Sequence, residues 1–179
     1  MDRVAPQLSA LLVRCPAAEP AVATQRLRFD RAAAFGVPAH LTICFPFAPV
    51  RMLSAADHDR LTSAFAGVPG FVVRGARTGW FGEDHLHVPV EPADAVLRLI
   101  GLVGALFPEH PIYGGAIEEV VPHVSIGPGE GAELSVAEAQ VSARLPFAQE
   151  VVEVELWAGP PLDGPVGVGW RRVRGYPLG

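Results

Sequence analysis

Two short stretches, Ala39-His40-Leu41-Thr42-Ile43 and Pro122-His123-Val124-Ser125-Ile126, carry one pattern twice: histidine, an apolar residue, a hydroxyl residue, isoleucine. The first runs into Pro46 and Pro49 and the second into Gly127 and Pro128, so each reads as a short strand stopped by turn residues. On a strand, residues i and i+2 face the same way. His40 and Thr42 therefore share one face, with Leu41 and Ile43 on the other. His123 and Ser125 share a face likewise, backed by Val124 and Ile126. Each strand offers an imidazole and a hydroxyl roughly 6–7 Å apart along the backbone, over an apolar face fit for a core. The chain holds six His and ten Ser plus Thr. Composition alone would give roughly 0.3 such triplets, so a doubled pattern is informative. A proline just before each copy, Pro38 and Pro122, sharpens it.

Outward from these strands the chain alternates irregularly. Gln7–Arg14 reads as a buried strand and Glu19 to about Ala34 as a helix with apolar residues at helical spacing. Ser54–Phe65 opens on an N-cap serine and an acidic first turn, which predicts a helix. Phe71–Arg77, Gly79–Phe81 and His85–Val90 look like successive strands, with a hairpin turn at Gly82–His85. Pro92–Phe107 is the strongest helix signal, with proline first and apolar periodicity after it. Val120–Gly127 is a strand, Ser135–Leu145 a helix, Gln149–Ala158 an alternating strand and Val166–Tyr176 a closing strand. Hairpins mixed with helices fit an α+β fold better than a doubly wound parallel sheet.

Composition narrows the function classes. The 179 residues suit one domain, 1–179, or two small lobes sharing a core. Half the residues are hydrophobic and the mean hydropathy is +0.29, which excludes a disordered chain. The net charge is −5, whereas proteins that grip a long nucleic acid are usually basic, so no long nucleic-acid grip is expected. Every basic residue is arginine, which rules out a lysine Schiff base or a P-loop lysine. No GxGxxG or GxxxxGKS motif is present; the glycines at 164, 167 and 169 fall in the wrong context. Cys15 and Cys44 form neither a disulfide framework nor a zinc quartet, and Cys44 reads as a buried small hydrophobe. No signal peptide and no apolar run of about 18–20 residues is seen, so the expectation is a cytoplasmic protein with no membrane partner.

The chemistry follows from the pairing. Two histidines facing one cleft can serve as general base and general acid on opposite sides of a phosphodiester, since an ordinary imidazole titrates near 6.5. Two hydroxyls can donate to the non-bridging phosphate oxygens. His40 and His123 are thus the candidate catalytic residues, and Thr42 and Ser125 the candidate substrate-binding ones. No metal or other cofactor is expected.

These motifs resemble those of the 2H phosphoesterases, in the branch of 2′-5′ RNA ligase-like proteins and cyclic phosphodiesterases. That family is marked by two H-x-[ST]-hydrophobic motifs about eighty residues apart; here the histidines are 83 apart. Pro111-Ile112-Tyr113-Gly114-Gly115 ahead of Val121-Pro122-His123 is similar to the loop before the family's second motif. The terminal VELWAG and GWRRVRGYPL are similar to its last two strands. The resemblance implies a bilobal, pseudo-twofold α+β fold: two small antiparallel sheets with outer helices around a central cleft. It implies metal-independent action on a 2′,3′-cyclic phosphate or 2′-5′ linkage of a nucleotide or RNA end. Where some RNA-acting relatives carry a basic residue after the second motif, this chain has Gly127-Pro128-Gly129-Glu130. That departure favours a small nucleotide-like phosphodiester, with Arg171, Arg172 and Arg174 as a potential basic rim. Two alternatives stay open: a module that binds nucleotide or RNA ends without turnover, and the same chemistry on a non-nucleotide phosphodiester.

The remaining candidates read as structural. His85 and His87 share a strand face, but two ligands without a third make a poor metal site, so a hairpin facing solvent or the cleft mouth is expected. Asp57-His58-Asp59 reads as a solvated helix face, Arg26, Arg28 and Arg31 as a helix surface, and His110 as a loop residue without a partner. Trp80-Phe81 could form a base-stacking platform but reads rather as sheet packing, and Trp157 and Trp170 read as core or strand-pairing residues. Tyr113 is balanced between stacking on a base and bracing its loop.

Overall fold

The alternation that defines the two motif strands recurs in their neighbours and builds the sheet. In a computed structural model, which describes residues 7–164 and 167–179, the strands are β1 (Leu8–Arg14), β2 (His40–Cys44), β3 (Phe71–Gly75), β4 (Gly79–Phe81), β5 (His85–Pro89), β6 (His123–Pro128), β7 (Phe147–Val151), β8 (Glu153–Gly159) and β9 (Arg171–Pro177). Seven of them form one antiparallel sheet in the order β4-β5-β6-β2-β1-β8-β9, and β3 pairs with β7 in a separate ribbon. The α+β expectation is met. The two small sheets meet edge to edge, through β2 and β6, and so become one.

One face of the large sheet is apolar throughout. Leu11 and Val13, Leu41 and Ile43, Leu86 and Val88, Val124 and Ile126, and Leu156 and Tyr176 all lie in the main core. Helices α1 (Glu19–Phe29), α3 (Ala55–Ala66), α4 (Ala93–Leu106) and α5 (Gly131–Ser142) cover that face and supply Val22, Phe65, Leu99 and Leu134 to it. The opposite face carries a smaller apolar cluster of Ala10, Leu12, Phe35, Val37, Trp157 and Trp170, and beside it the histidines. With these four helices on one side, the polar residues of the motif strands are left facing a cleft.

Several boundaries differ from the sequence reading, each for a local reason. The first helix breaks at Asp30, whose backbone is extended (φ −96°, ψ 109°) and whose side chain accepts from the Ala32 N–H, capping the four-residue helix α2 (Arg31–Ala34). The stretch 149–158 is two strands, not one: Val152 lies between β7, which joins the ribbon, and β8, which joins the large sheet. Alternation alone does not reveal a change of partner. β3 likewise pairs with β7 rather than with β4 next to it in the chain. Helix α5 begins four residues before Ser135 and stops at Ser142, ahead of Pro146. The closing strand begins at Arg171; Val166, where it was expected to start, lies outside the described residues. Ser54 caps α3 as expected, in a capping box with Asp57. Among the described residues, no helix is long and apolar enough to cross a membrane.

Candidate active site

Leu41 of β2 sits directly opposite Val124 of β6 in an antiparallel pair. Extending that register by one residue brings His40 level with Ser125 and Thr42 level with His123, with opposed Cα atoms about 4.5–5.5 Å apart. Leu41 and Val124 are fully buried in the core, so their neighbours along each strand must face the cleft. A local twofold axis between Leu41 and Val124 exchanges the two motifs. The four candidate residues therefore form one quartet on one face, with imidazole and hydroxyl alternating across the strand pair.

Both imidazoles are held in the same way. His40 Nδ1 lies 2.7 Å from the Pro38 carbonyl and His123 Nδ1 lies 2.7 Å from the Val121 carbonyl. A carbonyl only accepts, so each Nδ1 carries the proton and each Nε2 keeps its lone pair. The prolines help set this geometry: Pro38 supplies one carbonyl, and Pro122 holds the segment that presents the other. Ser125 Oγ is 3.1 Å from His123 Nε2. Burial, and then the nearby Arg26 charge, push His40 down to about 4. Burial also lowers His123, opposed by its bond to Val121 and helped by His85.

The walls of the cleft differ on its two sides. Beside His123, the His87 ring is buried at 4 % exposure and lies flat against Phe81, with centroids 3.8 Å apart and planes 11° apart. His123 meets the His87 ring at 5.1 Å and the Phe81 ring edge-on at 4.9 Å. Burial and the neighbouring His123 and His85 push His87 down to about 4, so this aromatic wall is uncharged at neutral pH. Gly79, opposite His87 on β4, leaves room for the ring: a β-carbon there would stand 2.9 Å from His87 Nε2. Beside His40, a small cavity of ≈ 90 Å³ is lined by Leu12, Val37, Phe45, Leu162 and Trp170 together with His40 and Thr42. Farther along this face Glu155, 1 % exposed, accepts from Arg14 Nε (2.7 Å) and Trp157 Nε1 (2.6 Å) and forms an ion pair with Arg172, whose Nε lies 3.1 Å away. Among the described residues, no three His, Cys, Asp or Glu side chains come together in a group that could hold a metal ion.

Residues 15–159 match the family model of the 2′-5′ RNA ligase superfamily. The chain belongs to that superfamily. This is the 2H phosphoesterase group that the doubled motif resembles, and it supports phosphodiesterase-type activity in general. The fold is similar to that of E. coli LigT, solved with 3′-AMP, at 16 % identity over 97 % of this chain and 98 % of that one, TM-score 0.58. It is also similar to TT0787 of Thermus thermophilus, at 20 % identity over 96 % and 97 %, TM-score 0.61. A third solved structure, described as a phosphoesterase, matches at 16 % identity over 97 % and 99 %, TM-score 0.59. No curated protein matches the sequence.

Within this superfamily member, several residues stand elsewhere than their sequence suggested. Arg26, expected on a helix surface, is 2 % exposed; it binds Asp30 (2.6 Å) and the Val37 carbonyl (3.2 Å) and biases His40. Its i,i+4 spacing to Asp30 was the available signal. Phe81 packs against His87 and His123 rather than in the body of the sheet, and of the two positions expected for His87, solvent or the cleft, it takes the cleft side, buried next to His123. His58 is not merely solvated: its Nδ1 lies 2.7 Å from the Tyr176 hydroxyl. Trp157 and Trp170 are buried as expected, and Cys44 is too. Of the terminal arginines, Arg172 lies on the site face, bound to Glu155, while Arg174 lies over the Tyr176 ring.

Proposed function

We propose that this chain is a metal-independent phosphodiesterase acting on a 2′,3′-cyclic phosphate or 2′-5′ phosphodiester of a small nucleotide or RNA end. His40 and His123 are its acid/base pair, and Thr42 and Ser125 bind the phosphate. The chain works as one domain, 1–179, of two pseudo-symmetric lobes that each contribute one motif. The observation that carries this reading is the Leu41–Val124 register, with both Nδ1 protons tied to backbone carbonyls. Two Nε2 lone pairs then flank the space where a phosphodiester would sit. In such a site one Nε2 takes the proton of the attacking water or hydroxyl. The other, once protonated, gives its proton to the departing ribose oxygen. Burial favours the neutral form of both rings. An anionic phosphate between them raises the proton affinity of both and recruits the proton that the acid needs. The two hydroxyls donate to the oxygens on which charge builds during attack. Two imidazoles supply both proton transfers, so no step calls on a metal. Structures of LigT with 3′-AMP, phosphate and NADP+ accord with a small nucleotide-like ligand. A cytoplasmic location fits the same reading.

The test is a chromatographic turnover assay with EDTA present. The panel holds the four 2′,3′-cyclic mononucleotides and a 2′-5′ dinucleotide, with His40→Ala and His123→Ala as controls. Turnover that falls by about 10²–10⁴-fold in each variant is expected. Full activity in either variant would reject the acid/base assignment. Saturable binding without turnover would leave a nucleotide-binding module instead.

A further inference from the structure

The two histidines of the quartet are hung on the backbone in different ways. His123 is held by the Val121 carbonyl, and the Pro122 carbonyl next to it accepts from the Val90 N–H at 3.0 Å. Among the described residues, no side chain other than His123 itself hydrogen-bonds to the backbone of Val121 or Pro122. His40 is held by the Pro38 carbonyl, and here two charged side chains of α1 grip the peptide groups on either side. Arg26 Nη1 donates to the Val37 carbonyl at 3.2 Å. Glu19 Oε1 accepts from the Ala39 N–H at 2.7 Å. The Val37 N–H donates to the Ala32 carbonyl (3.0 Å), and the Ala39 carbonyl accepts from the Cys15 N–H (2.7 Å). Proline has no N–H, so every backbone donor and acceptor from Val37 to Ala39 is engaged. Arg26 is costly to bury. It is 2 % exposed, and its Nε and Nη2 both bind Asp30 Oδ2, at 3.1 and 2.6 Å, which leaves Nη1 turned to Val37. Asp30 is fixed in turn by its cap bond to the Ala32 N–H. A buried ion pair is weak support for stability, because apolar residues of the same volume serve as well or better. A planar guanidinium held at two nitrogens does what an apolar residue cannot: it sets the direction of a third hydrogen bond.

We propose that Arg26 and Glu19 are positioning residues: by fixing the peptides on both sides of Pro38 they aim its carbonyl at His40 Nδ1, and so hold the imidazole in its Nδ1–H form with Nε2 turned to the cleft. Which ring nitrogen carries the proton is set by the hydrogen bond the other makes, so a Pro38 carbonyl that swings away releases both the tautomer and the ring orientation. A small misplacement of an acid or base costs rate more than affinity. The clamp also breaks the twofold likeness of the two motifs, since α1 steadies one histidine and backbone pairing the other. The inference rests on the proposed acid/base role of His40.

Ring-nitrogen NMR of the full chain at pH 7 reports the tautomer of each histidine, and turnover of the 2′,3′-cyclic mononucleotides gives kcat and KM. The wild type is compared with Glu19→Ala, Glu19→Gln and the double variant Arg26→Met/Asp30→Asn, which removes both charges of the buried pair together. Glu19→Ala should move His40, and not His123, toward the Nε2–H form and lower kcat about 10-fold at an unchanged KM, the effect of one lost hydrogen bond. Glutamine keeps an acceptor oxygen, so Glu19→Gln should restore both readouts. Arg26→Met/Asp30→Asn should act in the same direction as Glu19→Ala; where it does not fold, the two variants of the half-buried Glu19 decide alone. A purely structural glutamate would not select His40 over His123. If Glu19→Ala keeps the wild-type His40 tautomer and kcat, or disturbs both rings alike, this inference is overturned while the site reading stands. If the wild type turns over none of the substrates, the site reading fails and takes this inference with it.

Discussion

Acidification should destabilise this protein well above the range where carboxylates titrate. His40 and His87 are both held near 4 in the fold against 6.5 for an ordinary imidazole, chiefly by burial. Below pH 6.5 the unfolded chain therefore binds more protons than the folded one, so stability falls as pH falls, until the folded rings protonate near pH 4. Between pH 7 and pH 5 a group with this shift accounts for about 2 kcal/mol, or about 4 kcal/mol for the pair. His58, His85 and His123 are lowered too and add in the same direction. Against a typical domain stability of about 5–15 kcal/mol the loss is large. Urea unfolding at pH 7, 6 and 5, followed by the fluorescence of the three tryptophans, measures it. His87→Asn cannot titrate, so its loss over the same interval should be about 2 kcal/mol smaller than that of the wild type. A wild-type stability unchanged from pH 7 to pH 5, or a His87→Asn profile parallel to the wild type, would refute the argument that these rings are buried neutral.

Three further outcomes follow from packing. Gly127 has φ +132°, and a β-carbon there would lie 2.5 Å from the Phe29 carbonyl carbon and oxygen. The obstacle is backbone, so Gly127→Ala should destabilise by about 2–4 kcal/mol in denaturant unfolding; a change under 1 kcal/mol would mean that α1 can shift away. Glu155→Ala removes the buried carboxylate shared by Arg14, Arg172 and Trp157; the half-exposed arginines regain water, so the cost should be about 1–3 kcal/mol, with a wild-type melting temperature counting against it. Ser54→Ala deletes an exposed capping box and should cost only about 1 kcal/mol, measurable as a small drop in denaturation midpoint; a loss as large as that of Gly127→Ala would be inconsistent with a local cap.

Local rules read from the chain reached far because the two motifs lie on strands, where a period of two fixes which residues share a face. From that alone follow the paired imidazoles and hydroxyls and the apolar backing that seats each strand; helical spacing and capping residues gave the main helices in the same local way. The family resemblance came from the same residues. The partner of each strand was not legible, since pairing depends on contacts distant in sequence. Residues 149–158 alternate smoothly, yet they divide at Val152 between two sheets. Arg26 pairs locally with Asp30 and Phe81 stacks on His87 within one hairpin, but that these groups are buried beside the two motif histidines depends on how the sheet and helix pack together. The sequence by itself determined the candidate chemistry, because side-chain type and strand periodicity are local properties. Only the tertiary structure decided that Leu41 faces Val124 and thereby joined the two motifs into one site, because register is set by burying both apolar faces at once.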